Sequence, residues 1–408
     1  MITVRPFKAL RPLNSMVSKV MAPPYDVLDR NEAYGLAKGN PVSFLHVTRA
    51  EIDFPENVDP YSEKIYERGR DNLYRFIDEG VMLQEEIPCF YLYRQEALGR
   101  VQEGIVCTVS VNEYIDGKIK KHELTRVEKE EDRLKHFVTC SAHTEPVFLM
   151  YRGNDDIHKV IREVKERSDC QYSVAASDKS VQKLYRISEE AEISKVMELF
   201  KEVDALYIAD GHHRCSSATR VGMGKDIKEN DERKYFLAVV FSEDQLKVYP
   251  YNRLVRDLNG LREDEFLKKV EEAGFSVTFK GSERVTPLEK HTFGMLVKDR
   301  WYLLKASKEL LSEDIVENLD VSILQKRLLS PILGIEDPRT DKRIDFLGGI
   351  KDLSQLERRC SEDMSLAFSM FPVKAKDILE VSDKGMIMPP KSTWFEPKLQ
   401  SGLFLHLF

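Results

Sequence analysis

Apolar and polar positions alternate along this chain with two periods. Residues 61–80 place Ile65, Leu73, Phe76 and Ile77 on one side of a 3.6-residue repeat and stop at Gly80, which predicts an amphipathic helix. Shorter apolar runs predict strands at 89–97, 103–114, 145–152, 183–188 and 205–210. Helices are expected over 154–167 and 189–203, and another from Gly211 to the Gly222–Gly224 turn. Residues 234–242 and 246–257 read as an antiparallel pair. A helix over 261–274 and three strands between 275 and 305 follow, then helices over 319–333 and 353–370 and a terminal strand.

Three local signals refine this. Pro6, Pro12, Pro23, Pro24 and Pro41 exclude long helices from the first sixty residues. The stretch VMAPPYDVLD (20–29) reads as a short strand, a rigid turn and a helix start near Asp29. Asp116-Gly117 is a hairpin signal, and Thr125 with Glu128 forms a capping box for the helix that follows. Strands and helices alternate irregularly, so the fold class is α+β (mixed α/β). The expected divisions are 1–150, 151–258 and 259–408, since 408 residues exceed one ordinary core.

Composition narrows the class. Apolar residues make up 42% and charged residues 32%, and the net charge is −7. That balance disfavours a duplex nucleic acid partner. No run approaches the ~20 apolar residues that span a bilayer, and the start MITVRPFKALRP has no apolar signal core, so a cytoplasmic protein with no membrane partner is expected. The six cysteines contain no C-x-x-C pair, which fits reduced thiols and argues against structural zinc.

The densest chemistry is YIADGHHR (207–214). A buried strand ends, and Asp210, Gly211, His212, His213 and Arg214 follow at once. Asp210 is expected at the N-cap, accepting from first-turn amides. Gly211 admits close approach of another group. The amides, the helix dipole, two imidazoles and a guanidinium make an anion site that suits a nucleotide phosphate. Small residues from Cys215 to Ala218 keep the first turn narrow. The plainer alternative is a capped helix with surface histidines.

Three further stretches carry candidates. KHELT places His122 and Glu123 at a strand end, where a glutamate near a phosphate can serve as general base and the histidine can share that work; the alternative is a solvated hairpin edge. APPYDV holds Tyr25 and Asp26 in a preset turn, able to stack on a base or bind a cation, or simply packing Tyr25. MPPKSTWFEPKLQSG holds Lys391, Ser392 and Thr393, a phosphate-gripping order without the glycines of a P-loop. The two proline-fixed loops are expected to frame one site. Cys215 beside two histidines leaves a thiol enzyme as a further reading.

The four motifs APPYDV, KHELT…EEDRLKHF, YIADGHHR and MPPKSTWFEPKLQSG, in this order, resemble the domain of unknown function 1015 family. Arg126-Val127 and Cys215 depart from the usual pattern. The DGHHR segment also resembles the G-[EHC]-x-R-x-x-A segment of the ParB/sulfiredoxin-like superfamily, with Ala218 one position late. That superfamily includes CTP-binding partition proteins, ATP-using sulfiredoxins and free-serine kinases. The resemblance implies a ParB/sulfiredoxin-like nucleotide-binding core with additional α+β regions. It implies phosphate contacts from Gly211, His212, His213 and Arg214, with Asp210 orienting a histidine, a substrate amine or Mg²⁺. The implied function is a phosphotransferase using ATP or ADP with Mg²⁺ on a small hydroxyl substrate, free L-serine first, with Glu123 as base. The alternative is a non-catalytic nucleotide-binding switch.

Overall fold

The computed structural model describes residues 1–228 and 230–408. The chain parts into two compact units. The first comprises residues 1–121, 125–246 and 397–408; the second comprises 122–124 and 247–396. The boundaries expected at 150 and 258 both fall inside a unit, and residue 150 lies mid-strand in Val147–Tyr151.

The first unit is built on a nine-stranded mixed sheet. Its order runs Ile119–Lys120, Leu206–Asp210, Val147–Tyr151, Tyr235–Ser242, Arg100–Ser110, Phe90–Ala97, Val181–Ile187 and Cys170–Ala175, with Val4–Arg5 pairing on Arg100–Ser110. The strand Leu206–Asp210 runs parallel to Ile119–Lys120 and antiparallel to Val147–Tyr151. Leu92, Ile105, Leu149, Ile208 and Val240 fill one core under this sheet, and Ala218 of the next helix joins them. That helix, His212–Gly222, packs on the helix Val127–Cys140.

The second unit carries a six-stranded antiparallel sheet, ordered Phe275–Gly281, Arg300–Ala306, Thr292–Val297, Leu366–Met370, Tyr251–Val255 and Ile344–Gly348. Leu254, Leu296, Trp301, Leu356 and Ala367 form its core. Among the described residues no helix is long and apolar enough to cross a membrane.

Mixed α/β architecture is borne out, with local corrections. Residues 234–242 and 246–257 do not pair: Tyr235–Ser242 pairs in the first sheet, and Tyr251–Val255 pairs in the second. The run 103–114 ends as a strand at Ser110, whose hydroxyl caps a short helix, Val111–Ile115. Asp116-Gly117 closes that helix rather than a hairpin, with Gly117 at φ +74°. Thr125 makes no capping box: the N-cap is Arg126, and the Thr125 hydroxyl donates to Glu130 instead. Residues 353–370 divide into a helix, Ser354–Glu362, and the buried strand Leu366–Met370. At the start of 20–29, Val20 ends a short helix, Val17–Val20, and the expected strand is reduced to one antiparallel bridge, Ala22 with Ser401, while Asp29 does cap the helix Arg30–Ala37.

Candidate functional site

The strand Leu206–Asp210 delivers the chain directly into the helix His212–Gly222 through one residue, Gly211. Gly211, not Asp210, holds the N-cap position, and it is left-handed at φ +92°. Gly211 has no side chain with which to cap the helix. With Gly211 rather than Asp210 at the N-cap, the expected capping role of Asp210 is overturned, and the positive end of the helix dipole lies at the Gly211 backbone.

The reason lies in Arg214. Its guanidinium folds back beneath Gly211, so close that a Cβ there would meet Nε at 2.9 Å. Arg214 is 3% exposed. It donates to the Pro146 carbonyl (2.5 Å) and to Oδ2 of Asp210 (3.0 Å). Asp210 faces Lys398 at 3.6 Å as well. Burial works against its charge, but Lys398, Arg214 and His212 outweigh this and hold its carboxyl at about 2. An acid neutralised by two cations is a poor magnesium ligand, so Asp210 does not fit the metal role. Among the described residues no group of three or more His, Cys, Asp or Glu side chains could hold a metal ion.

A second layer of charge lies under the APPYDV turn. Tyr25 offers its ring to the Arg133 guanidinium at 3.9 Å, its amide to Glu145 (3.2 Å) and its carbonyl to Arg49 (2.7 Å). Its phenol is pushed up by burial. Tyr25 therefore does bind a cation, the protein's own. Arg133 is bidentate on Asp132 (2.9 and 3.1 Å), which also accepts from the Tyr66 hydroxyl. Glu145 is 2% exposed; burial pushes its carboxyl up, and Arg214 and Arg133 pull it only part-way back. Three buried atoms of this cluster have no hydrogen-bond partner: Arg133 Nη1, Arg214 Nε and Glu145 Oε2.

Asp26 is the exposed acid of this region. Its charge acts on Tyr25, Glu145, His213 and Arg214. His213 is half-buried, and its Nε2 accepts from the Arg126 amide at 3.0 Å. That bond requires an unprotonated Nε2. Burial lowers the imidazole below its ordinary range, against Glu130 and Asp26, so His213 is neutral near pH 7. Ser216 and Ser217 anchor the helix by donating to Glu130 (2.8 and 2.9 Å). Cys215 is fully buried and its thiol is pushed well up, which removes the thiol-enzyme reading.

The structure thus brings Tyr25, Asp26, Asp210, His212, His213 and Arg214 together in the first unit. The tail of the second proline motif joins them: Lys398 pairs with Asp210, and the Ser401 hydroxyl donates to Glu145. The other candidates belong to the second unit. There His122 is buried, with Nε2 3.2 Å from Thr393 Oγ1 and its carbonyl accepting from Met388. Glu123 is half-buried beside it. Ser392 donates to the Pro389 carbonyl (2.6 Å), and Lys391 sits at φ +59°. Residue patterns missed Arg133, Glu145 and Lys398. An acid just before the buried run of 147–151 was a signal for Glu145; nothing local marked Arg133.

A family model for proteins of unknown function, DUF1015, matches residues 4–322. The chain belongs to that family. No curated protein matches it. Among solved structures, this DUF1015 chain is similar to a mutant free serine kinase in complex with AMP, at 14% identity over 71% of this chain and 87% of that one, with a TM-score of 0.38. A free serine kinase mutant in complex with ADP matches at 13% identity over 72% and 88%, TM-score 0.37. SbnI with a C-terminal truncation, from Staphylococcus aureus, matches at 13% over 71% and 82%, TM-score 0.38.

Proposed function

We propose that this chain is a nucleotide-dependent phosphotransferase, with ATP or ADP as donor and a small hydroxyl compound as acceptor. The observation that carries the reading is the helix end that starts at left-handed Gly211, with the exposed carboxylate of Asp26 acting on His213 and Arg214. First-turn amides and the helix dipole suit phosphate oxygens. A carboxylate within electrostatic reach suits an acceptor hydroxyl, whose proton it would take as the new O–P bond forms and the terminal P–O bond of the nucleotide breaks, releasing ADP from ATP or AMP from ADP. Neutral His213 would donate from Nδ1 to a phosphate oxygen, its other nitrogen being held by Arg126. Arg214 would act from beneath, fixing Gly211 and lending charge. Magnesium would arrive as the counter-ion of the nucleotide; no residue set here is built to hold it alone.

Free L-serine is the first acceptor to try, on the likeness of the DGHHR segment to that of free-serine kinases. Glu123, with His122 sharing the work, remains a second candidate for the base, and Lys391, Ser392 and Thr393 remain candidates for phosphate contacts.

The test is phosphorus NMR of the purified chain with ATP or ADP, Mg²⁺ and an amino-acid pool that includes serine. A new phosphomonoester resonance is expected, and leaving out one amino acid at a time names the acceptor. Asp26→Asn should lower turnover by about 10²–10⁴-fold while nucleotide binding persists. Nucleotide resonances broadened by the protein without product would transfer the reading to a nucleotide-binding switch. Unaltered resonances would overturn both.

A further inference from the structure

The second unit contains a cavity of about 310 Å³, a size at the lower end of small-molecule sites. Its chemistry differs from that of the Gly211 junction. Arg253, on the central strand Tyr251–Val255, contributes to the lining and is 4% exposed. Its guanidinium donates to the Tyr251 carbonyl and to the Lys391 carbonyl (3.0 Å). Among the described residues it forms no ion pair. Burial draws it down to about 10. A buried cation held by carbonyls alone lacks the anion that would normally accompany it.

The surroundings select among anions. Val321, Leu329, Ile344, Phe346 and three prolines, Pro338, Pro389 and Pro390, make most of the wall apolar. Glu336, Asp337 and Arg339 also line it, and Asp337 pairs with Arg339 at 2.8 Å. With Asp337 neutralised by Arg339, Glu336 is the carboxylate that would repel a polyanion such as a nucleotide more than a single charge seated on Arg253. Two strained features maintain the wall. Gln325–Leu329 forms a π-helical turn, a geometry that recurs at functional sites. Lys391, not glycine, is left-handed at φ +59°, and its carbonyl is the one aimed at Arg253.

We propose that this cavity binds a small monocarboxylate with an apolar body, its carboxylate paired with Arg253. An apolar α-amino acid and the corresponding acid without the amino group share that chemistry. The site does not rest on the phosphotransferase reading.

The experiment is calorimetric titration of the full chain with L-leucine, 4-methylpentanoate, inorganic phosphate and ATP. At least one of the first two should bind saturably, and which one binds tells whether the ammonium is recognised at Glu336 and Asp337. Arg253→Met should bind at least about tenfold more weakly, and Leu288→Ser, at an 88% exposed position outside the cavity, should bind as the parent does. A second readout needs no variant: methyl NMR of the parent chain should show Val321, Leu329 and Ile344 shifting as ligand is added. The proposal fails if neither carboxylate binds, if those methyls stay still during binding, or if phosphate or ATP shifts the same methyls as strongly as the carboxylates do.

Discussion

Arg214 and Arg253 are almost equally buried, at 3% and 4% exposure, yet they live in opposite surroundings. Arg214 faces Asp210, Asp26 and Glu145, which favour its charge. Arg253 has backbone carbonyls and an aromatic ring, Phe346, 5.6 Å away. In the first unit the charge is balanced within the protein, and the arginine packs beneath Gly211 at the start of the helix. In the second the balance is incomplete, and the arginine itself is the recognition element. Two identical side chains thus serve different ends because one has carboxylates around it.

The strongest way to break this comparison is to remove each cation. Arg214→Met takes one of two cations from Asp210 and from Glu145, leaving Lys398 and Arg133, and should cost about 3 kcal/mol. Arg253→Met relieves an unpaired buried charge while depriving two carbonyls of a donor, so the two effects should nearly cancel, within about 1–2 kcal/mol. Urea unfolding of both variants decides; equal losses would refute the contrast. A smaller effect separates two left-handed glycines. Gly211→Ala meets both backbone strain and the Arg214 guanidinium, and should cost about 2–3 kcal/mol. Gly385→Ala, at φ +65° with open space around it, should cost about 1 kcal/mol, by thermal melting of the same preparations.

The smallest effect is on pH. The Asp210 carboxyl is held at about 2 against an ordinary 3.8. A depressed acid contributes stability above its unfolded value and loses it as pH falls through the folded one. The contribution should therefore be present above pH ~4 and fade toward pH ~2, by about 1 kcal/mol after screening of the 30% exposed side chain. Asp210→Asn should flatten that part of the urea-midpoint profile.

Residues 207–214 announced their strand–helix junction because apolar run, glycine and polar cluster are all local features. The same local reading misassigned the cap. Asp210 has the right chemistry for that position, but a positive φ at Gly211 turns its carboxylate toward Arg214 and Lys398 instead. Arg133 and Glu145 could not be placed from the sequence, because what makes them part of the site is Tyr25, and no periodicity links positions so far apart. The antiparallel pair expected across residues 234–257 failed for a related reason. Both strands exist, but the chain changes units between them, and short range propensity carries no information about that crossing.

The return of residues 397–408 to the first unit governs how that unit can be assembled. The Glu145–Ser401 contact joins positions 256 apart in sequence, with the whole of 247–396 in between. Closing so long a loop is entropically slow, and such non-local closure sets folding rates more than it sets final stability. Until that closure occurs, Asp210 lacks Lys398 and Glu145 lacks Ser401. The candidate site is therefore complete only once the last residues of the chain have docked.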